Sequence, residues 1–140
     1  MAHSEESFLT RRIDAGAYPL AVGDILGISA VLTIGVIFHN GIAYLSTAPI
    51  GWGLTILPFL IGWVVISPLI GAYSAGAAES AKAAIPLAIR AWIPASIVGL
   101  GLRATPLFDG GVGITFVAVV LITGAIAVTA TRWLFFLIIR

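Results

Sequence analysis

Four apolar runs, each about twenty residues or longer, occupy most of this 140-residue chain. They lie at residues 20–45, 54–73, 83–102 and 112–136. A helix rises about 1.5 Å per residue, so each run is long enough to cross a hydrocarbon core about 30 Å thick. What remains between them is too short to build a separate soluble unit. Only 9% of the residues are charged and 60% are hydrophobic, whereas an ordinary soluble domain carries about a quarter charged residues. A water-soluble fold of this size could not cover its surface with so few charges. The chain therefore reads as all-α: one integral membrane bundle of four transmembrane helices spanning residues 1–140.

The cations orient it. Of seven Lys and Arg, Arg11, Arg12, Lys82, Arg90, Arg132 and Arg140 fall on one side and Arg103 alone on the other. The positive-inside rule then predicts cytoplasmic N- and C-termini in a multi-pass protein of the cell membrane. Tyr18, Tyr73 and Trp133 fall at the inner boundary and Tyr44 and Trp52 at the outer one, as aromatic belts do. The first sixteen residues mix Glu5, Glu6 and Asp14 with Arg11 and Arg12. That mixture lacks the layout of a secretory signal and reads as a short cytoplasmic tail.

Several chemistries are excluded at this level. With no cysteine, disulfides, thiolate nucleophiles, iron–sulfur clusters and cysteine-ligated zinc are out. The two histidines are far apart and form no H-E-x-x-H pattern, and no serine has a plausible basic partner. No enzyme, cofactor or metal site is expected. The net charge of +1 gives no nucleic-acid footprint. The stretch FDGGVG, 108–113, precedes an apolar span and reads as an outer turn, not a phosphate loop.

The informative residues are charges inside the spans. In PLAVGDILGIS (19–29), Asp24 lies about four residues, or roughly 6 Å, past the start of the first run. Arg90 in the third span and Arg132 in the fourth reach the same leaflet. An isolated ionised group at that depth costs a few kcal/mol on insertion scales, so such groups usually face the bundle and pair. The expectation is an inner cluster in which Asp24 meets Arg90, Arg132 or both. Gly23 and Gly27 form a small-xxx-small pair flanking Asp24, which lets another helix approach. The structural reading of this cluster is an interhelical clamp; the alternatives are a protonatable carboxylate on a conduction path, and arginines that simply snorkel to the interface and leave Asp24 protonated.

At the outer side the polar candidates are His39, Asn40, Arg103 and Asp109. Asn40 or Gly41 can end the first helix, and an imidazole at His39 suits orphan carbonyls and the negative end of the helix dipole. The sharper reading makes His39 a gate at a vestibule shared with Arg103. Pro58 and Pro68 predict a kinked second helix inside the bundle, and Pro86 and Pro94 bracket Arg90. Glycines such as Gly62, beside Trp63, predict close helix packing.

The segments TILPFLIGWVV (55–65), LGLRATPLF (100–108), TFVAVVL (115–121) and TRWLFF (131–136), with Asp24 and the HNG exit of the first span, resemble a prokaryotic membrane family. It is domain of unknown function 3054, which occurs in halophilic archaea and actinobacteria. The resemblance covers about residues 18–136. It implies a four-span protein with Asp24, His39, Pro58, Phe59, Gly62, Trp63, Arg103 and the Arg132-Trp133 pair as pattern positions, and it carries no activity.

Two function classes follow. One is an accessory or structural membrane protein, acting through its apolar faces on membrane lipids, as a homo-oligomer or within a larger membrane complex. The other is an oligomeric small-solute or ion channel or transporter, because four helices are too few to enclose a wide path alone. Polar residues in the second and fourth spans are scattered, which favours the first class.

Overall fold

The computed structural model describes residues 13–108 and 111–139. Its four long helices are α1 (Tyr18–Asn40), α2 (Pro49–Ile70), α3 (Ala81–Arg103) and α4 (Ile114–Ile138), all long and apolar enough to cross a membrane. No strand occurs among the described residues beyond an isolated bridge between Ile13 and Tyr73.

The boundaries differ from the sequence expectation where local chemistry intervenes. The first run continues to residue 45 by hydropathy, but its helix stops at Asn40 because Gly41 takes φ +86°, a conformation that side chains with a Cβ rarely adopt. A one-turn helix, Tyr44–Thr47, follows, and α2 begins at Pro49 rather than 54. Proline suits a first helical turn, where its missing N–H would have no intrahelical partner. The second run ends at Ile70 rather than 73. Gly71 is left-handed at φ +93°, and the Ala72 N–H closes the turn on the Ser67 carbonyl at 3.0 Å. Pro58, Pro68, Pro86 and Pro94 all lie inside helices that continue through them.

The helices pack through small residues and fourfold ridges. On α1, Leu20, Asp24, Ile28, Leu32 and Val36 are buried; on α4, Val120, Gly124, Val128, Arg132 and Phe136 are. Each set repeats every four residues, the spacing of one ridge on a helix surface. Between α2 and α3 the approach is closer still. A Cβ at Gly62 would collide with the Ala95 carbonyl oxygen, and one at Gly99 with Phe59. On α4, a Cβ at Gly124 would run into the Trp92 indole. The opposite faces stay open: Ile34, Val64, Ile97, Ile126 and Leu137 are exposed. Such a shell of large aliphatic side chains suits hydrocarbon.

Candidate functional site

Asp24 and Arg132 meet at one end of the bundle. They hold the fourth place from the far end of the α1 ridge and the fourth place along the α4 ridge. Because α1 and α4 run antiparallel, the two side chains come level. Gly23 and Gly27 make the approach possible: Thr131 of α4 occupies the space a Cβ would need at Gly27 and lies against Gly23.

The pair is bidentate. Arg132 Nε donates to Asp24 Oδ1 at 3.1 Å and Arg132 Nη2 to Oδ2 at 2.7 Å. Fork-to-fork geometry of this kind is the strongest form of an Arg–carboxylate contact. The remaining donors reach backbone: Nη1 to the Ala84 carbonyl of α3 at 2.8 Å, and Nη2 to the Ala72 carbonyl after α2 at 3.0 Å. On the acid, Oδ2 also accepts from the Tyr73 hydroxyl at 2.8 Å, and that hydroxyl in turn accepts from Trp63 Nε1 of α2 at 2.6 Å. The Arg132 guanidinium lies 5.5 Å from the Tyr73 ring centre. One ion pair thus gathers groups from all four long helices.

The cluster is closed to solvent. Side-chain exposure is 0% for Asp24 and 1% for Arg132. The chain entering α1 helps to close that end: the Asp14 N–H donates to the Tyr73 carbonyl at 2.7 Å, and Ala17, Ala72 and Ala77 are fully buried where the two connecting segments pack. Burial pushes the Tyr73 phenol well above its ordinary value, and the neighbouring Asp24 charge adds to this, so the hydroxyl remains a donor. Close by on α2, the buried Ser67 Oγ has no hydrogen-bond partner among the described residues.

Arg90 is the correction to the expected inner cluster. It is exposed on α3, away from the Ala84, Ala88, Ala91, Trp92 and Ala95 face that packs inward, and Asp24 is served by Arg132 and Tyr73 instead. At about 100° per residue, Arg90 points nearly opposite to Ala88, a geometry that charge counting along the sequence did not weigh. Tyr73 is the residue sequence reasoning missed. Hydropathy placed it at the inner boundary as a belt aromatic, yet it is buried at 8% exposure. The available signal was the helix stop at Gly71 followed by small residues, which turns the chain inward.

The outer candidates do not converge. His39 is exposed and makes an edge contact with Phe38, ring centres 6.1 Å apart. Asn40 Nδ2 donates to the Val36 carbonyl at 3.2 Å, closing its own helix. Arg103 Nε donates to the Gly111 carbonyl at 2.9 Å, and its guanidinium stands 4.3 Å from the Phe116 ring centre. None of these contacts joins His39 to Arg103. Asp109 lies outside the described residues. Gly62 and Trp63 are both buried, the glycine at the α2–α3 approach and the tryptophan in the clamp network.

Four apolar helices joined by a buried interhelical Asp–Arg pair define a multi-pass helical membrane protein. The chain belongs to the family described as protein of unknown function (DUF3054), whose model matches residues 21–135 and so includes Asp24, Trp63, Tyr73 and Arg132. No curated protein and no solved structure matches it.

Proposed function

We propose that this is a non-enzymatic accessory or structural protein of the cell membrane, with both termini cytoplasmic. In this reading it works through its apolar outer faces, as a homo-oligomer or within a larger membrane complex, and the Asp24–Arg132 pair is the clamp that holds those faces in register. The observation that carries the reading is the completeness of the pair's bonding while it is sealed from solvent. A carboxylate that carries ions or protons must exchange with water, whereas a structural one gains from being fully partnered.

Asp24→Asn tests it. The substitution removes the ionic component and one bidentate contact, so melting temperature in detergent should fall while any ion or solute flux in proteoliposomes stays as in the parent. A flux that disappears at unchanged stability would replace the clamp by the channel or transporter reading.

A further inference from the structure

Arg90 lies near the middle of a membrane span, at the tenth of the 23 residues of α3, and is exposed. Its level follows from the contacts between α3 and α4: Ala84 is bonded to Arg132, and Trp92 Nε1 donates to the Leu121 carbonyl at 3.1 Å. Arg90 is therefore six residues, about 9 Å, deeper than the clamp. An arginine facing hydrocarbon at such depth is costly unless something anionic or wet reaches it.

About 100° round α3 from Arg90, at the adjacent residue Ile89, the molecule carries an open groove of about 430 Å³ between α3 and α4, lined by Ile89, Ala125, Ile126, Thr129, Ala130 and Trp133. Lys82 is seven residues before Ile89, on nearly the same face of α3 and two turns nearer the helix start. Trp133, one residue past the clamp arginine, is half-exposed at the corresponding level of α4. The groove thus has an apolar floor at mid-membrane and, at its shallow end, an exposed lysine and an indole. Arg90 adds a second cation. Helical side chains lean toward the helix N-terminus, here the shallow end, and the long Arg90 side chain can carry its guanidinium from mid-membrane toward headgroup depth along the side that Lys82 occupies.

We infer that this groove holds one acyl chain of an anionic phospholipid whose phosphate is bound by Lys82 and Arg90, with Trp133 at headgroup depth. The charge inventory favours a lipid over a second copy of the chain. Asp24 is the single acid within the four membrane spans, and it is already bonded to Arg132 and Tyr73. A second copy docked on this face would bring cations and no free carboxylate at the depth of Arg90. A phospholipid supplies both the apolar chain the groove accommodates and the phosphate its rim lacks.

Native mass spectrometry of the purified chain in neutral detergent, with phosphatidylglycerol or phosphatidylcholine added at equal concentration, tests this. Phosphatidylglycerol should be retained about thirtyfold more strongly, the preference expected from two cations near a headgroup. Arg90→Gln and Lys82→Gln should each reduce that preference, the double substitution should abolish it, and Arg90→Lys should keep it. Ala130→Trp, which fills the groove, should lower retention of both lipids. All these positions are exposed, so melting temperature without added lipid should not move. Equal retention by the parent, an undiminished preference in the double variant, or loss of preference in Arg90→Lys would overturn the assignment. So would displacement of the lipid by inorganic phosphate, which would mark a free-anion site. A dimer that Ala130→Trp dissociates while lipid retention persists would reassign the face to a second copy.

Discussion

The two ends of the bundle handle polar side chains in opposite ways. At the clamp end, hydrogen bonds join residues far apart in sequence: Asp24 with Arg132, Asp24 with Tyr73, Arg132 with Ala72 and Ala84. At the other end, the bonds of Asn40, Arg103, Ser46 and Thr47 all stay within eight residues and finish a helix or a turn. One exception links helices there, Trp52 Nε1 donating to Thr33 Oγ1 at 3.0 Å. The difference teaches where polar chemistry specifies this fold. Helix ends near the membrane surface can turn to water, so their polar groups need only local partners. Groups below the surface that face the bundle have no such option and must find one another, which fixes which helices are neighbours.

The comparison breaks most severely if one partner of the clamp is removed. Arg132→Leu or Asp24→Leu leaves an uncompensated buried charge and is expected to cost about 3–5 kcal/mol, read as loss of the folded fraction in a detergent denaturation series. The double substitution Asp24→Leu with Arg132→Met should recover much of that loss, since no charge is then stranded. A double variant as unstable as the worse single one would show that the ion pair itself, and not its imbalance, holds the bundle.

Packing near the clamp should come next. Gly62→Ala forces a methyl against the Ala95 carbonyl and is expected to cost about 1–3 kcal/mol by overpacking. Gly35→Ala meets nothing within 4 Å and should be neutral or slightly stabilising in the same melts. Equal losses at the two positions would remove the distinction between the α2–α3 contact and the open face of α1.

Tyr73→Phe sharpens the contrast with a smaller effect. It deletes the donor to Asp24 and the acceptor of Trp63 Nε1, at a cost of about 1 kcal/mol. It also carries a pH signature. The phenol is raised above its unfolded value of about 10, so its contribution is whole below that pH and is lost progressively above it. The parent's melting temperature should therefore decline more steeply than that of Tyr73→Phe once the pH passes about 10. Parallel profiles would mean that the Tyr73 hydroxyl is not held as the structure has it.

The smallest effect is expected at the opposite end. Arg103→Gln loses one bond to the Gly111 carbonyl and the contact with the Phe116 ring, both at a partly solvated helix end, for less than about 1 kcal/mol. A loss matching that of Arg132→Leu would show that both ends depend equally on their arginines.

Much of this was legible residue by residue, and the failures have identifiable causes. The apolar runs give the four helices directly, because in lipid every backbone polar group must be satisfied within a segment. Asp24 stands out as an acid among aliphatic residues, and Gly23 and Gly27 mark where another helix can come close. The choice between Arg90 and Arg132 was not legible, since both lie at workable depths and only the rotation of α3 about its axis turns Arg90 outward. Tyr73 was misread because aromatic residues at a span end usually serve the interface; here Gly71 reverses the chain and carries the ring inside. His39 and Arg103 looked like partners because both occupy the same end, but sharing a level says nothing about the distance across a bundle.

Sequence alone determined that the chain spans a membrane four times and that its single intramembrane acid needs a cation, because dehydrating backbone and charge costs too much to be avoided any other way. Tertiary packing decided which arginine answers, that a tyrosine and two backbone carbonyls complete the pair, and that the other arginine is left on the surface. Those outcomes depend on how the helices rotate and how closely they approach, and glycines at 27, 62, 99 and 124 set those distances through contacts between residues remote in the chain.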